Sequence, residues 1–291
     1  MTRPVAVVTD STADLPPALA AEAGITVVPL QVLWEGQTYQ DGVDLTADAF
    51  YARLRTAASM PTTSHPSPET FAAIYRRWHA RGYAVYVLVL SARFSGTYQA
   101  AQLARQQVPE AEVWVEDSLT TSMALGFQAL AAARVAAEGG DLHAVRAAAA
   151  AVRARSGVLF VPRTLAYMRR SGRLGPLQYR LASALRILPV LEIRDGGPTL
   201  VARTRTFPRA VRRMRDEVVA RCQGQADLHL AVLHADAADD ARALRDDLTV
   251  RLRPQQHWVQ TIGPVLGIHT GPGLLGVAYA WDLGGPLFFT A

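Results

Sequence analysis

Lysine and asparagine are missing from the 291 residues altogether, and cysteine occurs once, at Cys222. A single thiol excludes an intramolecular disulfide and leaves nothing from which a cysteine-rich zinc site is built. Cys222 itself reads as a helix residue. No apolar run approaches the roughly 18 residues of a membrane-spanning helix. The amino end, Met1-Thr2-Arg3-Pro4, runs directly into an apolar strand and lacks the core of a secretory signal. A P-loop, a G-x-G-x-x-G turn and His/Cys metal spacing are absent too. Together these absences predict a cytoplasmic protein with no membrane span, no metal and no cofactor.

What is present in quantity is arginine, which supplies all 30 basic residues against 25 acidic ones. The net charge of +5 and a pI near 9.7 invite a nucleic-acid reading. One regional bias supports it: Arg153 to Arg215 holds 15 arginines and only two acids, Glu192 and Asp195. Such a stretch suits an acidic partner, a phosphate or a solvated face. Aromatic residues are not interleaved with the arginines as single-strand binders require, so no nucleic-acid partner is expected.

Half of the residues are hydrophobic, enough for a substantial core. The first half alternates strand and helix. Val5–Thr9, Ile25–Val32, Ala84–Leu90 and Glu112–Val115 read as strands. Pro16–Ala23, Asp48–Ala57, Pro68–Arg81, Thr97–Gln107, Thr121–Glu138 and Leu142–Arg155 read as helices. The stretch Met60–Pro68 reads as a Pro/Thr/Ser loop. This alternation predicts an α/β fold with a mostly parallel sheet and helices on both faces. The second half differs. Val158–Val161 reads as a strand and Arg163–Arg170 as a helix. Leu188–Ile193 and Thr199–Arg205 flank Gly196-Gly197 in a hairpin pattern. Pro208–Gln223 and Asp239–Leu252 read as helices, and Leu228–His234, Val259–Ile262 and Val265–Ile268 as strands. The expectation is two domains, residues 1–156 and 157–291, the second α+β with a mixed or antiparallel sheet.

Short polar stations follow several of these apolar segments: Asp10-Ser11-Thr12, Thr62-Thr63-Ser64-His65-Pro66, Ser95-Gly96-Thr97 and His269-Thr270-Gly271-Pro272-Gly273. Ligands of open α/β sheets bind where strands end, so these stations can converge on one pocket with a polar end. At Ser95-Gly96-Thr97, hydroxyls and amides at a helix start can hold an anionic oxygen. The plainer reading is that Ser95 caps the helix. Prolines stiffen the Thr62–Pro66 loop, which lowers the entropy lost on binding; otherwise it is an ordinary capping loop. His269 precedes glycines that permit close backbone approach, although a lone histidine also occurs as a structural residue. Arg169-Arg170-Ser171-Gly172-Arg173 is a basic cluster at a helix end, where cations suit the dipole. Asp10 and Asp117 end strands, each followed by serine, and read as caps or ligand-facing groups.

In this order the stations resemble the DegV family, whose characterised members are fatty-acid-binding subunits of a bacterial fatty acid kinase. The resemblance rests on Val8-Thr9-Asp10-Ser11-Thr12-Ala13-Asp14-Leu15-Pro16, Pro29-Leu30, Tyr39-Gln40-Asp41-Gly42-Val43-Asp44 and Pro61 to Pro68. It continues through Ser95-Gly96-Thr97-Tyr98-Gln99, Val115-Glu116-Asp117-Ser118, Gly172-Arg173-Leu174 and His269 to Gly273, spanning essentially the whole chain. It implies a long-chain fatty acid, palmitate- or oleate-like, lying between two domains. Thr63, Ser95 and His269 would then hold its carboxylate, with Ser64, Gly96, Thr97 and Arg173 as further ligand or partner contacts. A separate kinase subunit would phosphorylate the presented carboxylate, and contact with a membrane would be transient. Two departures stand out: His65 replaces the family's usual glutamine, and Ala92-Arg93-Phe94 replaces smaller residues.

The energetics suit such a ligand. Burying about 14 methylenes at roughly 0.8 kcal/mol each gives on the order of 11 kcal/mol before association costs. A buried carboxylate needs several donors, or desolvation cancels that gain. The rival chemistry is a serine acyl-hydrolase using Ser95 as nucleophile and His269 as base, although Arg93-Phe94-Ser95-Gly96-Thr97 lacks the glycines of a G-x-S-x-G elbow.

Overall fold

A computed structural model of the protein describes residues 3–177 and 187–285. In chain order the first half contains β1 (Val5–Asp10), α1 (Pro17–Glu22), β2 (Thr26–Val28), β3 (Gln31–Trp34), β4 (Gln37–Gln40), α2 (Ala47–Leu54), β5 (Thr62–Ser64) and α3 (Pro68–His79). It continues with β6 (Ala84–Val89), α4 (Thr97–Gln106), β7 (Val113–Asp117), α5 (Met123–Ala137) and α6 (Leu142–Ala154). The second half contains β8 (Ser156–Val161), α7 (Ala166–Arg170), β9 (Leu188–Arg194), β10 (Gly197–Thr204), α8 (Phe207–Cys222) and β11 (His229–His234). It ends with α9 (Ala238–Leu252), β12 (Gln256–Thr261), α10 (Pro264–Thr270) and β13 (Leu275–Ala280).

Strands β2-β1-β6-β7 form a wholly parallel sheet. The period-two alternation of β6 sorts its side chains between two helical layers. Val85, Val87 and Val89 pack with Phe71 and Tyr75 of α3 and the alanines of α4, whereas Tyr86 and Leu88 face α5 and α6. The second sheet has the order β10-β9-β8-β13-β11-β12, antiparallel throughout except for the parallel β11–β12 pair. Helices α8 and α9 cover its outer face. The fold is therefore α/β, with a parallel sheet flanked by helices and a second, mixed sheet.

Helix α5 joins the two. It packs on β1 and β6 of the first sheet and on β8 and β13 of the second, and every residue from Met123 to Ala133 is buried. A helix covered on all sides shows no amphipathic stripe. Its alanines leave room for both sheets to close on it.

Several expectations are corrected. Ile25–Val32 is two strands: β2 belongs to the parallel sheet, and the chain turns at Pro29-Leu30 to place β3 in a small antiparallel sheet, β4-β3-β5. The stretch Met60–Pro68 is not all loop, because Thr62–Ser64 pairs with β3. Val265–Ile268 is helix, not strand; Pro264 occupies the first helical turn, where its missing N–H costs nothing. Strands β4 and β13 were not expected. The hairpin β9–β10 is as predicted, with Asp195 (φ 49°) and Gly196 (φ 78°) both left-handed in its two-residue turn. Arg180 and Arg186 of the basic stretch lie outside the described residues. Among the described residues no helix is long and apolar enough to cross a membrane.

Candidate functional site

Thr63 lies on β5, Ser95 and Gly96 between β6 and α4, and His269 on the last turn of α10. These residues, together with Ser64, His65 and Arg173, line one cavity of about 220 Å³. A water molecule occupies about 30 Å³, so the space is ligand-sized. Its walls are apolar and come from both sheets: Leu90 after β6, Val158 and Phe160 of β8, Ile193 of β9 and Leu233 of β11. Thr121 and Ser122 also reach it, but their hydroxyls donate inward, to the Thr12 carbonyl (3.4 Å) and Asp14 (2.6 Å).

The polar groups are linked to one another. Thr63 Oγ1 lies 2.9 Å from His269 Nε2. Burial, reinforced by the Arg173 charge, pushes the His269 pKa down to about 4, so the ring is neutral at physiological pH. Its other nitrogen, Nδ1, is buried and has no partner among the described residues. The Arg173 guanidinium donates to the carbonyls of Phe94 (3.3 Å) and Ser171 (2.6 Å). No carboxylate pairs with it among the described residues, and burial lowers its pKa. A cation without a counter-ion among the described residues thus lines the cavity with the Thr63 and Ser95 hydroxyls, a donor set suited to an anion.

Ser95 Oγ sits 2.9 Å from Thr97 Oγ1 and accepts from the Thr97 amide at 3.3 Å, so it also serves the start of α4. Thr97 itself is fully buried and does not line the cavity; it orients Ser95. Gly96 is required by close approach: a Cβ there would stand 2.6 Å from His65 Cδ2. The His65 ring thus covers Gly96 beside the cavity, with Nδ1 3.1 Å from the Pro66 carbonyl. His269 stands on a helix instead of after a strand. Gly271 ends that helix at φ +80°, with the Tyr167 ring packed where a side chain would be.

The strand-ending aspartates Asp10 and Asp117 do not reach the cavity. Asp10 caps the turn after β1, accepting from Thr12 N (2.9 Å), Thr12 Oγ1 (2.6 Å) and Leu90 N (2.7 Å). Asp117 accepts from the Leu119 and Ala92 amides. Both are caps. Sequence reasoning did not single out Asp14, Asp41 or Ser122, which form a buried cluster behind α10. The only signal for the two aspartates was their place in the Asp10–Asp14 and Gln40–Asp44 strings. Among the described residues no group of acidic, histidine and cysteine side chains could hold a metal ion.

An α/β protein of two packed sheets that encloses an apolar cavity with polar groups gathered at one wall is the class this geometry defines. The profile of the uncharacterised DegV family matches residues 4–282, and the chain belongs to that family. A DegV domain-containing protein of Streptomyces coelicolor is 40% identical over 280 residues, covering 95% of this chain and 98% of its own. A DegV family protein of Thermus thermophilus, described by its fatty acid binding, superposes with a TM-score of 0.88 at 34% identity, over 97% of this chain and 100% of its own. DegV of Bacillus subtilis, described as a fatty acid binding protein, superposes with a TM-score of 0.90 at 27% identity, over the same shares.

Proposed function

We propose that the cavity binds a long-chain fatty acid and that this chain presents the carboxylate to a separate kinase subunit. One observation carries the reading: in an otherwise apolar cavity, the Arg173 cation without a described counter-ion is gathered with the Thr63 and Ser95 hydroxyls. The descriptions of the Thermus and Bacillus relatives support its fatty acid part. In this reading residues 1–156 and 157–291 act as two domains with the acyl chain between them, and the protein works in the cytoplasm as a carrier without catalysis of its own. Thr63 and Ser95 hydroxyls donate to the carboxylate, while the neutral His269 ring donates from Nε2 to Thr63 Oγ1 and holds it in place.

The hydrolase reading has less support. His269 Nε2 is engaged by Thr63, and Ser95 by Thr97, so nucleophile and base are not paired. Solvent extraction of the purified protein followed by mass spectrometry is expected to release near-stoichiometric fatty acid of palmitate or oleate type. A fluorophosphonate probe is expected to leave Ser95 unlabelled. A lipid-free extract, with no uptake of added palmitate or oleate, would defeat the carrier reading; a labelled Ser95 would favour the hydrolase.

Within the basic stretch Arg153, Arg155, Arg163 and Arg194 are paired with Glu116, Asp282, Asp240 and Glu192, and the pairing continues along α8. Arg213 and Arg221 pair with Glu217, Arg215 with Asp216 and Asp247, and Arg221 with Glu192. Arg209 and Arg212, in the first turns of α8, carry no ion pair among the described residues and are exposed. If this face meets the kinase, Arg209→Glu/Arg212→Glu lowers kinase-dependent turnover roughly tenfold while leaving fatty acid affinity unchanged. Equal turnover in titrations against wild type would move the contact elsewhere.

A further inference from the structure

Helix α10 carries His269 at its carboxyl end, and two side chains from the other half of the molecule hold its amino end. Asp14 Oδ1 accepts from the Gly263 amide at 2.8 Å, and Asp41 Oδ1 accepts from the Val265 amide at 3.4 Å. Pro264, between them, has no amide to satisfy. The second oxygen of each carboxylate is also engaged: Asp14 Oδ2 accepts from Ser122 Oγ at 2.6 Å, and Asp41 Oδ2 from Ser11 Oγ at 2.7 Å. Ser11 in turn accepts from the Leu30 amide at 3.1 Å. Tyr51 of α2 completes the seat, donating to the Ile262 carbonyl at 3.2 Å and standing against Gly267 so closely that a Cβ there would lie 2.5 Å from its oxygen. Asp14 and Asp41 are 5% and 3% exposed, so every bond they make is made out of water.

The carboxyl end of α10 brings His269 and Thr270 to the cavity, and Val265 and Leu266 of the same helix also line it. A seven-residue helix is too short to bend, so a shift at Gly263 is carried through to His269. We propose that Asp14 and Asp41 are positioning residues for the ligand: they fix the amino end of α10 and thereby the distance between His269 and Thr63. The ligand part of this inference rests on the proposed fatty acid site; the placement of His269 does not.

The charge on the pair should then be visible at His269. The titratable groups facing the two carboxylates are Asp10 at the end of β1 and Tyr51 of α2, with the Asp236–Arg55 pair behind Tyr51. Asp44 faces solvent and accepts from the Gln40 amide. Among the described residues no cation touches either carboxylate. Burial, opposed by the hydrogen bonds and aided in lesser measure by neighbouring acids, pushes Asp14 up to about 7 and Asp41 up to about 6; burial likewise pushes Asp10 up to about 6. Neutral carboxyls keep an acceptor for Gly263 and Val265 but lose the charge that roughly doubles the strength of such bonds. Asparagine at these positions imitates the neutral form.

The deciding measurement is the 15N spectrum of the histidine side chains of the full chain, followed from about pH 8 to about pH 5.5, for wild type, Asp14→Asn, Asp41→Asn and the double variant. Oleate affinity is measured on the same samples. In wild type the His269 signals are expected to move between about pH 7 and pH 6, well above the ring's own titration, and in the double variant to stay at the wild-type low-pH position. Oleate affinity should be roughly tenfold weaker in the double variant at pH 8, with the difference closing by pH 5.5, where the ionisation of oleate itself affects both proteins equally. His269 signals that are flat across this range in wild type, or that move identically in the double variant, overturn the proposal; the wild-type titration needs no substitution to fold. Failure of wild type to bind oleate at any pH would remove the fatty acid reading instead, and the His269 signals would still decide the positioning role.

Discussion

Thr63→Ala/Ser95→Ala protein is expected to purify without lipid. Taking a carboxylate into an apolar cavity forfeits its hydration, and only donors in the cavity restore it. A hydrogen bond to a charged group contributes about 1.5–3 kcal/mol, so losing two costs roughly 3–6 kcal/mol, or about 10²–10⁴ in dissociation constant. The two losses are not equivalent. Ser95 is held by Thr97, and its removal deletes one donor and the cap on the Thr97 amide. Thr63 is also the partner of His269, so Thr63→Ala leaves both ring nitrogens of His269 without a described protein partner in a buried setting. Thr63→Ala is therefore expected to weaken binding more than Ser95→Ala, with Thr63→Ser recovering most of the loss because it keeps the hydroxyl. Mass spectrometry of extracted lipid, with displacement of a fluorescent fatty acid from the emptied proteins, checks all four variants. Stoichiometric lipid retained by the double variant would place the carboxylate at another wall of the cavity.

The parts of this site that a linear reading reveals are those whose chemistry is local. Ser95-Gly96-Thr97 announces a helix start, and Pro61, Pro66 and Pro68 announce a stiff segment around Thr63, so both hydroxyls were identifiable as candidates. Strands β1 and β6 at the centre of the parallel sheet were placed because fully buried, valine-rich runs leave few alternatives. Helix α10 shows where such reading stops. Val265–Ile268 is four apolar residues, too short for its period to separate strand from helix. What selects the helix is a pair of carboxylates 249 and 224 residues earlier in the chain, bonded to Gly263 and Val265. Helix α5 was visible as a helix, but its lack of an amphipathic stripe acquires a reason only when two sheets are packed on it. Asp14 and Asp41 were similarly hidden, because acidic residues in polar loops ordinarily face water.

Those same aspartates should make the protein less stable at neutral than at mildly acidic pH, and Asp14→Asn should remove much of that difference. Asp14 ordinarily titrates near 3.8, but burial raises it to about 7 in the folded protein. Between these values the folded chain holds a proton that the unfolded chain has released. Stability from this group is therefore complete below about pH 4, declines as pH rises and is lost above about pH 7. A rise of this size corresponds to about 4 kcal/mol as an upper bound, since Asp10 and Asp41 contribute to the same field. The amide introduced by Asp14→Asn keeps an oxygen for the Gly263 N–H and offers its own N–H to Ser122, whose hydroxyl can rotate to accept. The expected result is a melting temperature raised by roughly 5 °C at pH 8, for about 2 kcal/mol recovered, and by about a third of that at pH 5. Thermal unfolding of both proteins at the two pH values tests this, and a variant less stable than wild type at pH 8 would contradict it. A gain in stability accompanied by weaker oleate binding would mean that the buried charge is retained for the placement of His269, at a cost to the fold. A gain with unchanged affinity would make the charge a by-product of burying these loops.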